Sequence, residues 1–223
     1  MVVDKSTATT PPLENGDRLT RVEFERRYAA MPQLKKAELI EGVVYMPAAL
    51  RFRNHGQPHS QIMTWLGVYQ AFTPKAELGD NVTVRLDLDN APQPDAVLLI
   101  DGGQATISSD DYVEGAPELV VEVAASSAAY DLYDKKRAYR RNGIKEYLIW
   151  QVYENKFDWF YLEAGKYIKL EADDNGIIRS VTFSGLWLAV EALLSGQMQQ
   201  VLSVLQQGLD SRPVQYRESS QSN

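Results

Sequence analysis

The chain has 223 residues, 44% hydrophobic and 24% charged, with no cysteine and a formal net charge of −7. That size and mix fit one globular domain, and the lack of cysteine excludes disulfides and thiolate metal sites. The acidic balance argues against gripping nucleic acid by overall charge, so any such role needs a local basic patch or a bound cation.

Residues 1–17, rich in Thr, Pro and Gly, read as a disordered lead-in and not as a signal peptide. Residues 18–210 are expected to form the single domain, and 211–223 a frayed tail. No run of about 18 apolar residues occurs, so no membrane span is expected. A reducing cytoplasm fits this composition.

Thr20 is placed to N-cap a short helix over RVEFERRYAA, with Glu23 at its third position. A turn at Glu41-Gly42 leads into a strand, Val43-Val44-Tyr45. In HSQIMTWLGVYQAF, Ile62, Trp65, Leu66 and Tyr69 mark an amphipathic helix. NVTVRLDL alternates as a strand would. PDAVLLI and PELVVEVA are continuously apolar, as central strands covered on both faces are. AYDLYDKKRAYRRN reads as a helix closed by Gly143. KEYLIWQVY is a further buried strand, and KFDWFYLEAGKYIKLEA a hairpin. LWLAVEALLSGQMQQVLSVLQQGL is helical at both ends, with a break near Ser195-Gly196. The order predicts an α/β domain: a central mixed β-sheet flanked by helices, with an added hairpin and C-terminal helices.

Two acids stand out. Asp95 follows Pro94 at the head of one apolar strand. Glu122 interrupts another, on the same face as Val120 and Ala124. A lone buried carboxylate is costly, and two close together repel. A divalent cation removes that conflict, and so does a lysine. On the next helix, Leu132, Lys135 and Tyr139 share a stripe, and Lys136 competes with Lys135; spacing does not choose between them. A plain strand start at Asp95 and a salt bridge from Glu122 to Lys135 are the non-catalytic readings. The cationic run from Lys135 to Arg141 is either a solvated face or a phosphate-binding patch through Arg137, Arg140 and Arg141. His59 can cap its helix or meet a phosphate there. Two histidines without cysteine do not make a zinc site.

ELIEG, a histidine ahead of an amphipathic helix, PDAVLLI, PELVVEV, and the D…K…Y…G…EY run ending at Tyr147 together resemble the Uma2 (DUF820) family of endonucleases. That family is abundant in cyanobacteria and belongs to the PD-(D/E)XK superfamily. The resemblance runs from about Thr20 to Leu209. It implies a restriction-endonuclease-like core, with Asp95, Glu122 and Glu38 as catalytic and metal-binding acids and Glu41 as second choice to Glu38. The superfamily's strand lysine would fall at Ala124. Here it is expected on the following helix at Lys135, with Tyr139 one turn on. Ala125-Ser126-Ser127 and Tyr147-Leu148 depart from the family pattern without removing a ligand. The implied activity is Mg²⁺- or Mn²⁺-dependent phosphodiester hydrolysis, with DNA the expected substrate. Open edge strands of the hairpin and the apolar C-terminal helix suggest a homodimer. The rival readings are a catalytically inactive nuclease-fold protein acting as a binding module and, more remotely, a carboxylate-pair glycosidase using the aromatic Trp150, Trp159 and Tyr161.

Overall fold

The computed structural model describes residues 10–46, 51–125 and 130–213. Helix α1 (Arg21–Ala29) is followed by a hairpin of β1 (Glu38–Ile40) and β2 (Val43–Tyr45). A π-helical turn, Phe52–Gly56, runs into α2 (Gln57–Ala71). Strands β3 (Ala76–Asp80), β4 (Val84–Arg85), β5 (Ala96–Ile100), β6 (Thr106–Ile107), β7 (Val113–Glu114) and β8 (Leu119–Ala124) come next. A second π-helical turn, Asp131–Lys135, leads into α3 (Lys136–Arg141). Then come β9 (Glu146–Gln151), β10 (Lys156–Glu163), β11 (Lys166–Lys169), β12 (Ile177–Arg179), β13 (Trp187–Ala189), α4 (Val190–Leu194) and α5 (Met198–Asp210).

The main sheet has six strands in the order β11-β10-β9-β8-β5-β3. Only β8 and β9 run parallel, joined through α3; the other neighbours are antiparallel. This is the expected central mixed sheet flanked by helices. Every residue of β8 and β9 is buried, as their unbroken apolar runs required. Their side chains alternate between two cores. Leu119, Val121, Val123, Leu148 and Trp150 pack with Ile62, Trp65 and Leu66 of α2 and Val201 and Leu205 of α5. Val120, Ala124, Tyr147 and Ile149 face Tyr139 of α3 and the small sheet β4-β7-β6. Glu122 is the polar interruption of this second face.

Several elements differ from expectation. The strand foreseen over Asn81–Leu88 shrinks to Val84–Arg85, because Asn81 turns the chain at φ 52 and Asp87 bridges back to Asn90. Strand β3 has no apolar alternation to announce it. Trp187–Ala189 pair with β12 as a strand instead of opening a helix. Thr20 holds the N-cap position of α1 without a side-chain capping bond, and Glu23 binds Arg26 and Arg27 instead. Of the expected lead-in, residues 1–9 lie outside the described residues, while Leu13 is buried in a third cluster with Phe24, Leu39 and Val44. Of the expected tail, 214–223 lie outside them, while Arg212 is buried and donates to Thr73 Oγ1 and the Phe72 carbonyl.

Candidate active site

The site is built where β1, β5, β8 and the second π-helical turn meet. Strands β5 and β8 pair Ala96 with Val121, and continuing that antiparallel register puts Asp95 opposite Glu122. Directly opposed residues project to the same face. Asp95, Glu122, Glu38 and Lys135 are each 5% exposed or less.

Lys135 is the hub. Its Nζ lies 2.9 Å from Glu38 Oε1 and 3.0 Å from Glu122 Oε1. The Tyr139 hydroxyl donates to the same Glu122 oxygen at 2.6 Å. Burial, with Glu122 beside it, pushes the Tyr139 phenol well above its usual pKa, so it remains a donor. The backbone N–H of Gln93 donates to Glu38 Oε1 at 2.7 Å. Glu38 reaches this point from a strand, since β1 pairs with β2 right up to it.

Asp95 is held from the other side. Its Oδ2 accepts the Val123 N–H at 2.7 Å. Its Oδ1 lies 3.4 Å from His55 Nε2 and 3.6 Å from Lys36 Nζ. The other ring nitrogen of His55 is 3.2 Å from the Val123 carbonyl. Both His55 nitrogens therefore face oxygen acceptors, and a neutral ring donates to only one of them. His59 Nε2 is 3.0 Å from the Asp95 carbonyl and 3.0 Å from Asp80 Oδ1, and its ring stacks on His55.

The remaining candidates lie elsewhere. Lys136 points away from Glu122, its Nζ 3.3 Å from the centre of the Phe160 ring. Arg141 binds Glu41 and Asp87, and Arg137 binds Asp134. Glu41 occupies the turn at φ 51 and is engaged by Arg141, apart from the Lys135 cluster. Arg140 donates to the Gly165 carbonyl. Trp150 packs in the first core, and Trp159 is buried with its Nε1 donating to Glu146.

His55, Lys36, Gln93 and Tyr130 were not foreseen. None carries a periodic signal, because each arrives through tertiary contact. Tyr130 packs against Tyr45 with the rings tilted and their centroids 4.0 Å apart, and Lys135 Nζ is 5.5 Å from its ring. Its hydroxyl is buried without a hydrogen-bond partner among the described residues. Burial and the nearby Glu38 raise its pKa.

Over residues 21–191 the chain matches the model of Uma2, described as "Putative restriction endonuclease". The chain belongs to the Uma2 family. In fold it is similar to the crystal structure of "a putative nuclease belonging to DUF820 from Anabaena variabilis ATCC 29413". The TM-score is 0.60 at 13% identity, over 76% of this chain and 96% of that one. No curated protein matches it.

Uma2 membership implies a divalent metal, and the residues fit one. The acids are hard oxygen donors, and Mg²⁺ needs only one or two carboxylates with water completing its shell. Among the described residues no group of three or more His, Cys, Asp or Glu is arranged around a metal position; the opposed pair Asp95 and Glu122 would supply two carboxylates, with water for the rest of the shell. The unpartnered Tyr130 hydroxyl would gain a partner from bound water.

Proposed function

We propose that this Uma2 protein is a metal-dependent endonuclease that hydrolyses phosphodiester bonds of nucleic acid, with DNA as substrate and Mg²⁺ or Mn²⁺ as the ion. The observation that carries the reading is Lys135 Nζ lying between Glu38 and Glu122, with Asp95 opposed to Glu122 in the sheet. The family match supports it.

Asp95 and Glu122 would hold the ion, with Glu38 beside them. When bound, such an ion supplies Lewis-acid stabilisation of phosphoryl oxygens and lowers the pKa of water. The chain's own residues do the rest. The Lys135 ammonium orients the attacking water and stabilises negative charge that develops on the phosphate. Tyr139 and Lys135 fix the direction of the Glu122 carboxylate. The Val123 N–H and His55 fix that of Asp95. These supports lie in rigid strands and packed turns, which limits reorganisation during the reaction.

One observation favours a binding module without catalysis: Lys135 already bridges two acids, as a structural ion-pair network would. The deciding assay incubates the protein with Mg²⁺ or Mn²⁺ and single- and double-stranded DNA and RNA. Cleavage by the wild type and its loss in Asp95→Ala and Lys135→Ala support the nuclease; equal cleavage by all three assigns the activity to another source. Thermal shift separates the readings without turnover. Mg²⁺ raises the melting temperature of an active Uma2 protein by mass action and leaves Glu122→Gln unmoved; no shift in the wild type favours the binding module. A homodimer, which would set two such sites against two strands, belongs to the same proposal.

A further inference from the structure

The outer surface of the Lys135–Arg141 segment looks away from Glu122. There Tyr133, Lys136, Arg137 and Arg140 face Lys166 and Tyr167 of β11 across an open groove of about 570 Å³. Arg140 Nη1 donates to the Gly165 carbonyl at 2.9 Å, tying the helix to the tip of the hairpin. Lys136 is braced over Phe160. Among the described residues, salt bridges reach one of the four cations: Asp134 lies 3.3 Å and Glu41 3.8 Å from Arg137. Lys136, Arg140 and Lys166 have no acidic partner within 4.0 Å among the described residues. Tyr133 is 72% exposed at the edge. In a chain of net charge −7, this is a concentrated cationic channel with an aromatic face beside it.

We propose that this groove binds single-stranded nucleic acid, with phosphates on Lys136, Arg140 and Lys166 and a base stacked on Tyr133. This rests on the substrate being nucleic acid, and it adds a docking surface that the acids do not supply. Charge complementarity names the polyanion. The exposed tyrosine names a strand with free base faces, because a duplex keeps its bases stacked on one another.

The test is fluorescence anisotropy of labelled oligodeoxythymidine, oligouridine and a DNA duplex in EDTA, across a salt series. Arg140→Ala, Lys166→Ala and Tyr133→Ala are compared with Lys75→Ala, an exposed charge ahead of β3 at the opposite sheet edge. The wild type is expected to bind single strands more tightly than duplex. Arg140→Ala and Lys166→Ala are each expected to weaken binding about threefold or more, with the slope of log affinity against log salt falling by about 0.7. Tyr133→Ala should weaken binding with the slope unchanged, and Lys75→Ala should do neither. Binding of oligouridine as well extends the ligand to RNA; binding of the deoxy strand alone confines it to DNA. Groove variants that match Lys75→Ala, or duplex bound as tightly as single strands, overturn the groove. EDTA keeps cleavage out of the readout. Groove binding without metal-supported cleavage rejects the nuclease alone, and cleavage with unaffected groove variants rejects the groove alone.

Discussion

At the residue scale, Lys135 holds two buried acids together, and the chemistry proposed for it is a separate question from that stabilising role. Lys135→Ala leaves Glu38 and Glu122 buried without their shared ammonium, and breaking such a pair costs about 3–5 kcal/mol. Urea denaturation should show a loss of this size. Tyr139→Phe removes one donor from Glu122 and should cost about 1–3 kcal/mol, with a smaller effect on any cleavage. Alkali probes the same place. Burial, with Glu122 or Glu38 nearby, raises the Tyr139 and Tyr130 phenols above 10.0, and burial raises Tyr167. Their contribution to stability is complete below pH 10 and declines as pH climbs toward the raised folded values, because the unfolded chain ionises first. Melting temperature should therefore fall above pH 10, and phenolate absorbance should appear together with unfolding; phenolate formation by these tyrosines in the intact fold would contradict their burial. Glu122 was legible because a carboxylate inside an apolar run demands a partner. Lys135 and Lys136 were not separable by spacing, because the geometry that aims Lys135 inward is a π-helical turn, which breaks the 3.6-residue period used to read stripes. His55 was illegible for the same reason, since it too sits in a π-helical turn.

At the level of elements, those two wide turns are the local devices that bring His55 and Lys135 to the acids, and π-helical segments recur at functional sites. The central strands were readable because β8 and β9 are buried on both faces. Strand β3 was not: its sequence, AELGD, is an edge strand carrying Glu77 and Asp80, and Gly79 is there because a Cβ would meet Val97 Cγ2 at 2.8 Å. Helix α5 depends on a similar close approach. A Cβ at Gly208 would collide with the Gly185 carbonyl and meet the Trp187 ring at 2.7 Å. Both neighbours are held, Gly185 by its φ of 78 and Trp187 within β13. Gly208→Ala should destabilise the protein by about 1–3 kcal/mol, measured by thermal melting, although alanine is the better helix former in isolation.

For the whole molecule, the element order and the continuous apolar strands were enough to place a mixed sheet between helices. The small sheet β4-β7-β6 was out of reach because two-residue strands leave no periodic trace. The edges of the main sheet bear on assembly. At one edge β11 presents Lys166 and Lys169, and at the other β3 presents Glu77 and Asp80. Two copies joined by like edges would set like charges against each other, a common guard against edge pairing. Like charge therefore counts against a homodimer through the open hairpin edge, and the mass of any homodimer in light scattering should be insensitive to charge reversal at Lys166. A single-chain mass removes the dimer.

On the proposed function, the crossover joining β8 to β9 would also govern when the protein becomes competent. Lys135 stands on the link between these two parallel strands, so its final position would wait for β9 to dock. A chain emerging from the ribosome presents the acids first and can complete the cluster only once β9 is out, because such non-local pairings form slowly. In refolding, burial of Tyr139 and any recovered cleavage should share one rate constant, and an early species that cuts before β9 gains amide protection would refute this timing.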